Sequence, residues 1–458
     1  MDDFGDDDGG QNRTGTWMTA SAHIITAVIG SGVLSLAWAI AQLGWIAGTV
    51  TLILFSIITW FTAILLTDCC RDPVTGKRQS SYIESVKSNL GGLNYNLCGV
   101  AQYVNLVGTS VGYTITSSIS MAAIKRSNCF HKYGHDAGCH VSNNIFMVIF
   151  GIIQVVLSQT PNFHKLDFLS ILAAIMSFGY SSIGLGLAIA KIAEGKSGNT
   201  SMTGVAVGVD VTSSQKVWKC LAAVGNIAFA YAFSNVLVEI QDTLKPNPPE
   251  NRVMKTATTI GISVTTLFYV SCGLLGYAAF GNKAPGNFLT GFGFYDPFWL
   301  VDLANLFIII HLLGAYQVYT QPVFKLVEDW CYMKWPESGF LREGSPIKIP
   351  VLGIYRFSML RLVWRTLFVI VTTVMAMLFP FFNAILGLLG ALAFWPLTVY
   401  FPIEMHISRL KIPRFSCNWM WLEVLSVVCL IVSLLAAAGS IEGIIKFLES
   451  YKPFNSVS

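Results

Sequence analysis

Ser21-Ala-His-Ile-Ile-Thr-Ala-Val-Ile-Gly30-Ser31-Gly32-Val-Leu-Ser-Leu-Ala-Trp38 is apolar enough to lie in a bilayer, yet it carries two glycines at its centre. Each glycine costs roughly 0.5–1 kcal/mol against alanine inside a helix, and backbone released from a helix at that depth is tolerated only where it lines a cavity. The stretch therefore predicts a transmembrane helix broken over Ile29, Gly30, Ser31, Gly32 and Val33, with His23 two turns before the break and Trp38 two turns after it.

The rest of the chain agrees with a membrane home. Of 458 residues, 53% are hydrophobic and 12% charged, too little charge to solvate a globular surface. The net charge of +4 comes with no basic face interleaved with aromatics, which argues against a nucleic-acid partner. Apolar runs near 19–41, 45–69, 94–123, 144–160, 167–191, 218–241, 257–280, 298–324, 362–379, 383–403 and 421–446 predict an all-α polytopic membrane protein of eleven transmembrane helices. An odd number puts the termini on opposite faces. Nineteen Lys and Arg fall on the N-terminal side and ten on the other, so the positive-inside rule places the N-terminus in the cytoplasm and the C-terminus outside. Residues 1–18 then read as a cytoplasmic acidic tail, since Met1-Asp-Asp-Phe-Gly-Asp-Asp-Asp is acidic where a cleavable signal would be basic. Residues 192–217 are expected as an external loop, 404–420 as a cytoplasmic loop, 421–446 as the eleventh helix and 447–458 as an external tail.

Cys129 and Cys139 share the predicted external loop 125–140, where a disulfide suits an oxidising compartment. His131, His135 and His140 lie in the same loop, but their spacing matches no common zinc pattern, so no metal is assigned. Asn199-Thr-Ser is a glycosylation sequon in the next external loop, and an unmodified polar loop is the equal alternative.

Ionisable residues inside spans cost about 2.5–3.5 kcal/mol at a helix centre and are usually paired or water-facing. Asp68, Asp242, Glu404 and Glu423 lie near span ends, where they can reach headgroups or cap helices. His23, Glu239, Asp302 and His311 lie deeper. Histidine exchanges protons across the acidic-to-neutral range, so His23 and His311 are read either as proton sensors or as neutral hydrogen-bonded groups.

Many secondary transporters are inverted repeats of five helices plus five, with the first helix of each half discontinuous and its broken ends facing the substrate. Eleven spans divide that way with one extra C-terminal helix: 19–191 as the first five-helix repeat and 218–403 as the second. The sixth span lacks a central glycine. Its cluster Gly225-Asn226-Ile-Ala-Phe229-Ala230-Tyr231-Ala-Phe233-Ser-Asn235 reads as a local unwinding or a packing face, and Gly387 to Pro396 in the tenth is a further weakened stretch. A broken first helix would turn free N–H groups and about half a positive charge toward a ligand. That suits a carboxylate, with Ser31 adding a hydroxyl and Phe229, Tyr231 and Trp38 closing over an amino-acid zwitterion, and Phe233 a further substrate-binding candidate.

Ser21 to Trp45, Phe229-Ala-Tyr through Val238-Glu-Ile-Gln-Asp-Thr, Gly276-Tyr-Ala-Ala-Phe-Gly, His311-Leu-Leu-Gly-Ala-Tyr-Gln-Val-Tyr, Leu360-Arg-Leu-Val-Trp-Arg-Thr, Phe394-Trp-Pro-Leu-Thr-Val-Tyr-Phe-Pro and Ser450-Tyr-Lys-Pro-Phe resemble the plant amino acid permeases of the amino acid/auxin permease group. The resemblance covers nearly the whole chain. It implies a proton-coupled amino acid importer in the plasma membrane with the fold of the bacterial leucine transporter, no cofactor, and protons as the coupling ion. It further implies that the first and sixth helices bind substrate and that the third and eighth line the path, adding Tyr103, Asn105, Asn305 and His311. Similar permeases usually have Asp where this chain has Asn226 and a small hydroxyl or similar residue where it has Asn235; an amide carries no proton, so either coupling rests on His23, Glu239, Asp302 or His311, or selectivity is altered or activity weak.

Gly108-Thr-Ser110-Val-Gly112 fits the serine-hydrolase pattern, but it lies inside an apolar span rather than at a strand-to-helix elbow, so no enzyme is read. An amino-acid-sensing receptor or a passive channel with the same binding site is the rival reading; no pore-loop repeat or charged ring favours a channel. The partners expected are an amino acid and the lipid bilayer, and no oligomeric partner is read.

Overall fold

The computed structural model describes residues 13–134, 137–159, 167–292, 297–341, 343–349 and 353–450. In chain order its elements are α1 (Trp17–Val28), a 3-10 turn (Ser31–Ser35), α2 (Leu36–Thr67), α3 (Tyr82–Leu90), α4 (Gly92–Tyr133), α5 (Asn143–Ser158), α6 (Asp167–Ala193), α7 (Ser213–Ala230), α8 (Leu237–Asp242), α9 (Glu250–Phe280) and α10 (Phe298–Lys334). A hairpin of β1 (Glu343–Ile349) and β2 (Gly353–Ser358) precedes α11 (Met359–Leu378), α12 (Phe382–Ala393), a π-helical turn (Phe394–Tyr400), α13 (Phe401–Leu410) and α14 (Cys417–Ser450). Among the described residues, eight helical stretches are long and apolar enough to cross a membrane, and Asn143–Ser158 is a shorter apolar helix.

Three local expectations are corrected. The loop expected at 125–140 is helical as far as Tyr133: a helix end that projects past an apolar window keeps its own hydrogen bonds, so charge at Lys125 and Arg126 does not stop it. In the tenth span the weakened stretch begins at Phe394 rather than at Gly387, and Gly225 of the sixth serves packing, one of the two readings its cluster allowed. Gly225 of α7 meets Gly387 and Gly390 of α12 at a crossing where an added Cβ would run into main chain. The all-α class also has one exception, since β1 and β2 pair antiparallel, Ile347 opposite Tyr355 and Ile349 opposite Gly353.

The chain divides into two compact units. The first holds the described residues up to Asn105, Leu185–Phe288 and Leu386–Gly443; the second holds Leu106–Gly184, Leu289–Ile385 and the chain from Ile444. In the first unit α9 packs along α1 and α2, and α7 lies on α2. α2 is two helices joined at Gly44, whose φ of 82° places it in the left-handed region. Loop residue Gly204, φ 78°, is pressed so closely on the turn that a Cβ there would stand 2.7 Å from Gln42 O. Lys216 on the first turn of α7 seals this corner, donating from Nζ to Gln42 O at 2.7 Å, to Val205 O at 3.0 Å and to Thr203 O. Nearby, Asp210 accepts from Ala206 N–H at 2.8 Å and from the Asn282 amide at 3.0 Å, bonds that hold its carboxyl below the usual range. Lys216→Met strips three carbonyls of a charged donor; a loss of about 1–3 kcal/mol is expected. A thermal melt of the purified protein in detergent checks it, and an unchanged midpoint would mean that solvent serves those carbonyls equally well.

At the far end of α8 a second knot gathers arginines on carboxylates. Arg13 donates to Asp242 Oδ1 at 2.8 Å, and the strand-like contact Gly15 N–H to Thr243 O at 2.9 Å fixes the leader of α1. Glu250 is shared by Arg71 and Arg78, and Arg78 also donates to Leu244 O at 2.8 Å. Asp68 pairs with Lys255 at 2.6 Å. Asp68 and Asp242 therefore have partners of opposite charge at helix ends.

In the second unit α5, α10 and α11 pack together. Gln317 donates to Gln154 Oε1 at 2.6 Å, Tyr316 and Thr372 share a hydroxyl bond of 2.8 Å, and Arg365 pairs with Glu328 at 2.7 Å.

Candidate functional site: two helix breaks in the first unit

α1 begins at a capping box, in which the Thr16 hydroxyl accepts from Thr19 N–H, and runs regularly to Val28. There Ile29 (φ −76°, ψ 81°) and Gly30 (φ −121°, ψ −146°) leave helical geometry. Gly30 N–H turns back onto Val28 O at 2.8 Å. The 3-10 turn starting at Ser31 then resumes the helix, braced by the Ser35 hydroxyl on Gly32 O at 3.0 Å. The first N–H groups of a helix have no acceptor within it, so the restart at Ser31 and Gly32 presents donors and a partial positive charge.

α7 breaks as well, without glycine. Helical geometry ends at Ala230; Tyr231 (φ −96°, ψ 2°) and Phe233 (φ −121°, ψ −6°) are irregular, and a 3-10 turn at Ser234–Val236 leads into α8. Short-range bonds replace the lost helical ones, Ala232 N–H to Phe229 O at 3.2 Å and Phe233 N–H to Tyr231 O at 3.0 Å. Burial of two aromatic rings offsets the rest: Tyr231 and Phe233 are fully buried, and Tyr231 lies edge-on to Tyr269 with centroids 5.2 Å apart.

The two breaks touch. A Cβ built on Gly32 would stand 2.8 Å from Ala230 Cα, so only glycine lets them approach this closely. Tyr269 of α9 joins them from the side, its hydroxyl donating to Val28 O and, at 3.0 Å, to Ala230 O. Three polar atoms in the broken stretches, Ser31 Oγ, Ser234 Oγ and Asn235 Nδ2, are buried and have no hydrogen-bond partner among the described residues. Native proteins rarely bury such groups without a use for them.

Ile29, Gly30, Ser31, Gly32, Val33, Phe229, Ala230, Tyr231 and Phe233 thus come from two segments of sequence into one place. Tyr269, Ser234 and Asn235 were not foreseen as site residues, since a tyrosine in an apolar run carries no signal until its hydroxyl is seen against broken helix ends. Trp38 is half-buried in α2. Tyr103, half-buried, and Asn105, buried, belong to the first unit on α4; Asn305 belongs to the second, fully buried with its amide donating to Val301 O at 2.9 Å. Asn226, fully buried, donates to Ala222 O at 2.9 Å one turn before the break.

The proton candidates divide between the units. His23 is half-buried on α1. Glu239 Oε1 accepts Tyr82 N–H at 3.2 Å, placing a carboxyl group at the N-terminus of α3, while Oε2 is buried without a hydrogen-bond partner among the described residues. In the second unit Asp302 accepts from Asn128 at 2.7 Å beside the disulfide-bearing end of α4. His311 on α10 is buried, with Nδ1 at 3.0 Å from Ser177 Oγ and 3.2 Å from Ala173 O. A carbonyl only accepts, so the contact with Ala173 O assigns the hydrogen of the neutral ring to Nδ1.

Cys129 and Cys139 are joined, Cα atoms 6.0 Å apart, which removes both sulfurs from any metal reading. His131 stacks on Phe298, His140 is exposed, and His135 lies outside the described residues. Asn199 is exposed, its carbonyl accepting Asn282 N–H at 2.8 Å. Ser110 spends its hydroxyl on Leu106 O at 2.9 Å inside α4, as a helix-packed serine does and a nucleophile does not.

Residues 13–446 match the family model described as transmembrane amino acid transporter protein. Amino acid permease 1 of Arabidopsis thaliana is 62% identical over 454 residues, covering 99% of this chain and 94% of that protein, and lysine histidine transporter-like 1 of the same plant is 30% identical over 97% of this chain. Among solved structures, MhsT in complex with L-phenylalanine shares the fold with a TM-score of 0.57 over 94% of this chain and all of that one, at 9% identity. These relatives are transporters and permeases rather than enzymes, and the chain belongs to the transmembrane amino acid transporter protein family.

Proposed function

We propose that this protein is a proton-coupled symporter that imports amino acids across the plasma membrane by alternating access, with the substrate carboxylate held at the broken first helix. The observation that carries the reading is the buried, unpartnered Ser31 hydroxyl at the restart of the helix, beside a second break that also buries unpartnered polar atoms. A carboxylate there meets helix-start N–H groups, a hydroxyl donor and backbone that glycine leaves uncovered. The relatives' names favour amino acids as the cargo.

Membership of the units supports a five-plus-five repeat with an eleventh helix. The first unit collects the first, second, sixth and seventh apolar runs, and the second unit collects the fourth, eighth and ninth, so elements five apart in order keep company. The fifth and tenth depart from this pattern, lying mostly in the second and first units respectively. In this reading the N-terminus is cytoplasmic, the C-terminus extracellular, protons are the coupling ion and no cofactor takes part. His23, Glu239, Asp302 and His311 are the groups that take the proton, and Asn199 is the glycosylation acceptor.

Uptake of labelled amino acid into proteoliposomes tests this. Accumulation above equilibrium is expected to grow as the outer pH falls, because each cycle consumes an outside proton, and to collapse with a protonophore. Mere equilibration would favour a channel, and saturable binding without flux a receptor. Ser31→Ala should raise KM roughly tenfold with protein level unchanged, the loss of one hydrogen bond to a charged group; an unaltered KM would move the carboxylate elsewhere.

A further inference from the structure

Val28 and Ala230 are the last residues of α1 and α7, so their carbonyls sit where the negative pole of each half-helix gathers. Both face one atom, the hydroxyl of fully buried Tyr269. Carbonyls and helix C-termini at broken transmembrane helices are the ligands that bind coupling cations. Here the positive end of a neutral O–H dipole stands at their meeting point, and the Tyr231 ring, edge-on at 5.2 Å, packs against the phenol. A phenol has one hydrogen, which the two carbonyls share. Val28 O also accepts Gly30 N–H at 2.8 Å, so Ala230 O depends on Tyr269 the more heavily.

We infer that Tyr269 is the positioning and ion-selecting residue of the two breaks: its hydroxyl stands in for a metal cation between the half-helix ends, holds the breaks in the arrangement that receives the amino acid, and leaves sodium no seat. The inference rests on the breaks being the amino-acid site, and it gives a reason within that site for protons rather than sodium to drive transport. Tyr269 acts through the backbone at Val28 and Ala230.

The test is equilibrium binding of labelled alanine to purified protein, in choline chloride and in sodium chloride, with no gradient present. Tyr269→Phe keeps the ring but removes the hydrogen bond, and its Kd should rise roughly tenfold in both salts. Tyr269→Ser vacates the space between the carbonyls, and sodium should restore its affinity by about tenfold over choline. Wild-type affinity in Tyr269→Phe, or equal affinity of Tyr269→Ser in the two salts, overturns the inference. Should the serine variant not yield monodisperse protein, sodium dependence in Tyr269→Phe, whose ring still fills the seat, overturns it, and independence of salt together with the raised Kd supports it. A wild type that binds alanine but accumulates none under a proton gradient refutes symport and leaves the role of Tyr269 standing.

Discussion

Gly32→Val is expected to abolish amino acid uptake while the protein still reaches the membrane. The first methyl-sized atom added at position 32 would lie 2.8 Å from Ala230 Cα and 3.0 Å from Ala230 Cβ, well inside contact distance. Main chain cannot swing aside as a flexible side chain can, so the breaks must separate. Separation pulls Ala230 O from Tyr269 and shifts the helix restart at Ser31 relative to the Phe229–Phe233 aromatics. A displacement on the order of 1 Å at a positioning contact can cost about 100-fold in rate. Initial uptake corrected for surface protein is the measurement. Gly186→Ala, where an added methyl meets nothing within 4 Å, is the control and should stay within about twofold of wild type. Wild-type uptake by Gly32→Val would show that ligand does not depend on the contact between the breaks.

The second large effect is on stability. Glu250→Ala removes the carboxylate that Arg71 and Arg78 share, with Glu250 6% exposed and Arg78 3%. The pair itself adds little net stability, since burying two charges costs about what their attraction returns; breaking it is another matter. The Arg78 guanidinium remains buried and has lost the Glu250 carboxylate, at about 3–5 kcal/mol. Arg78 can keep its bond to Leu244 O, which brings the loss toward the lower figure. The midpoint of thermal unfolding in detergent should fall by about 3–5 °C, since the unfolding entropy of a chain of 458 residues is about 1 kcal/mol/K. The double variant Glu250→Met with Arg78→Met should regain much of the loss, because Arg71, the arginine then deprived of the carboxylate, is 32% exposed and solvent can serve it. A midpoint for Glu250→Ala within a degree or so of wild type would mean that solvent reaches Arg78.

Glycine made the first break legible. Two glycines in an apolar run have one economical explanation, and Gly30 leaves helical geometry where that explanation requires. The second break was only half legible, because its cause is tertiary: Tyr231 packs on Tyr269 of α9, Phe233 is fully buried, and nothing local in Ala230-Tyr-Ala-Phe demands an irregular turn. Gly387 was read as the start of a weakened stretch, but with Gly225 it serves a close helix crossing, the packing face that the sixth span's cluster also allowed. Hydropathy located the apolar core of α4 but not its end at Tyr133, since a helix continues on its own hydrogen bonds after apolarity stops.

The sequence by itself determined that this chain is a helical membrane protein, that its first helix is interrupted around Gly30-Ser31-Gly32, and that it resembles amino acid permeases. Those properties follow from composition, from glycine's missing Cβ and from motifs read along the chain. Tertiary structure alone decided that the first and sixth breaks meet at Gly32 and Ala230, that Tyr269 bridges their carbonyls, and that Arg71 and Arg78 converge on Glu250. Each of these is a contact between residues far apart in sequence. Which distant carbonyl or carboxylate a side chain meets is set by the packing of whole helices, and no local pattern encodes it.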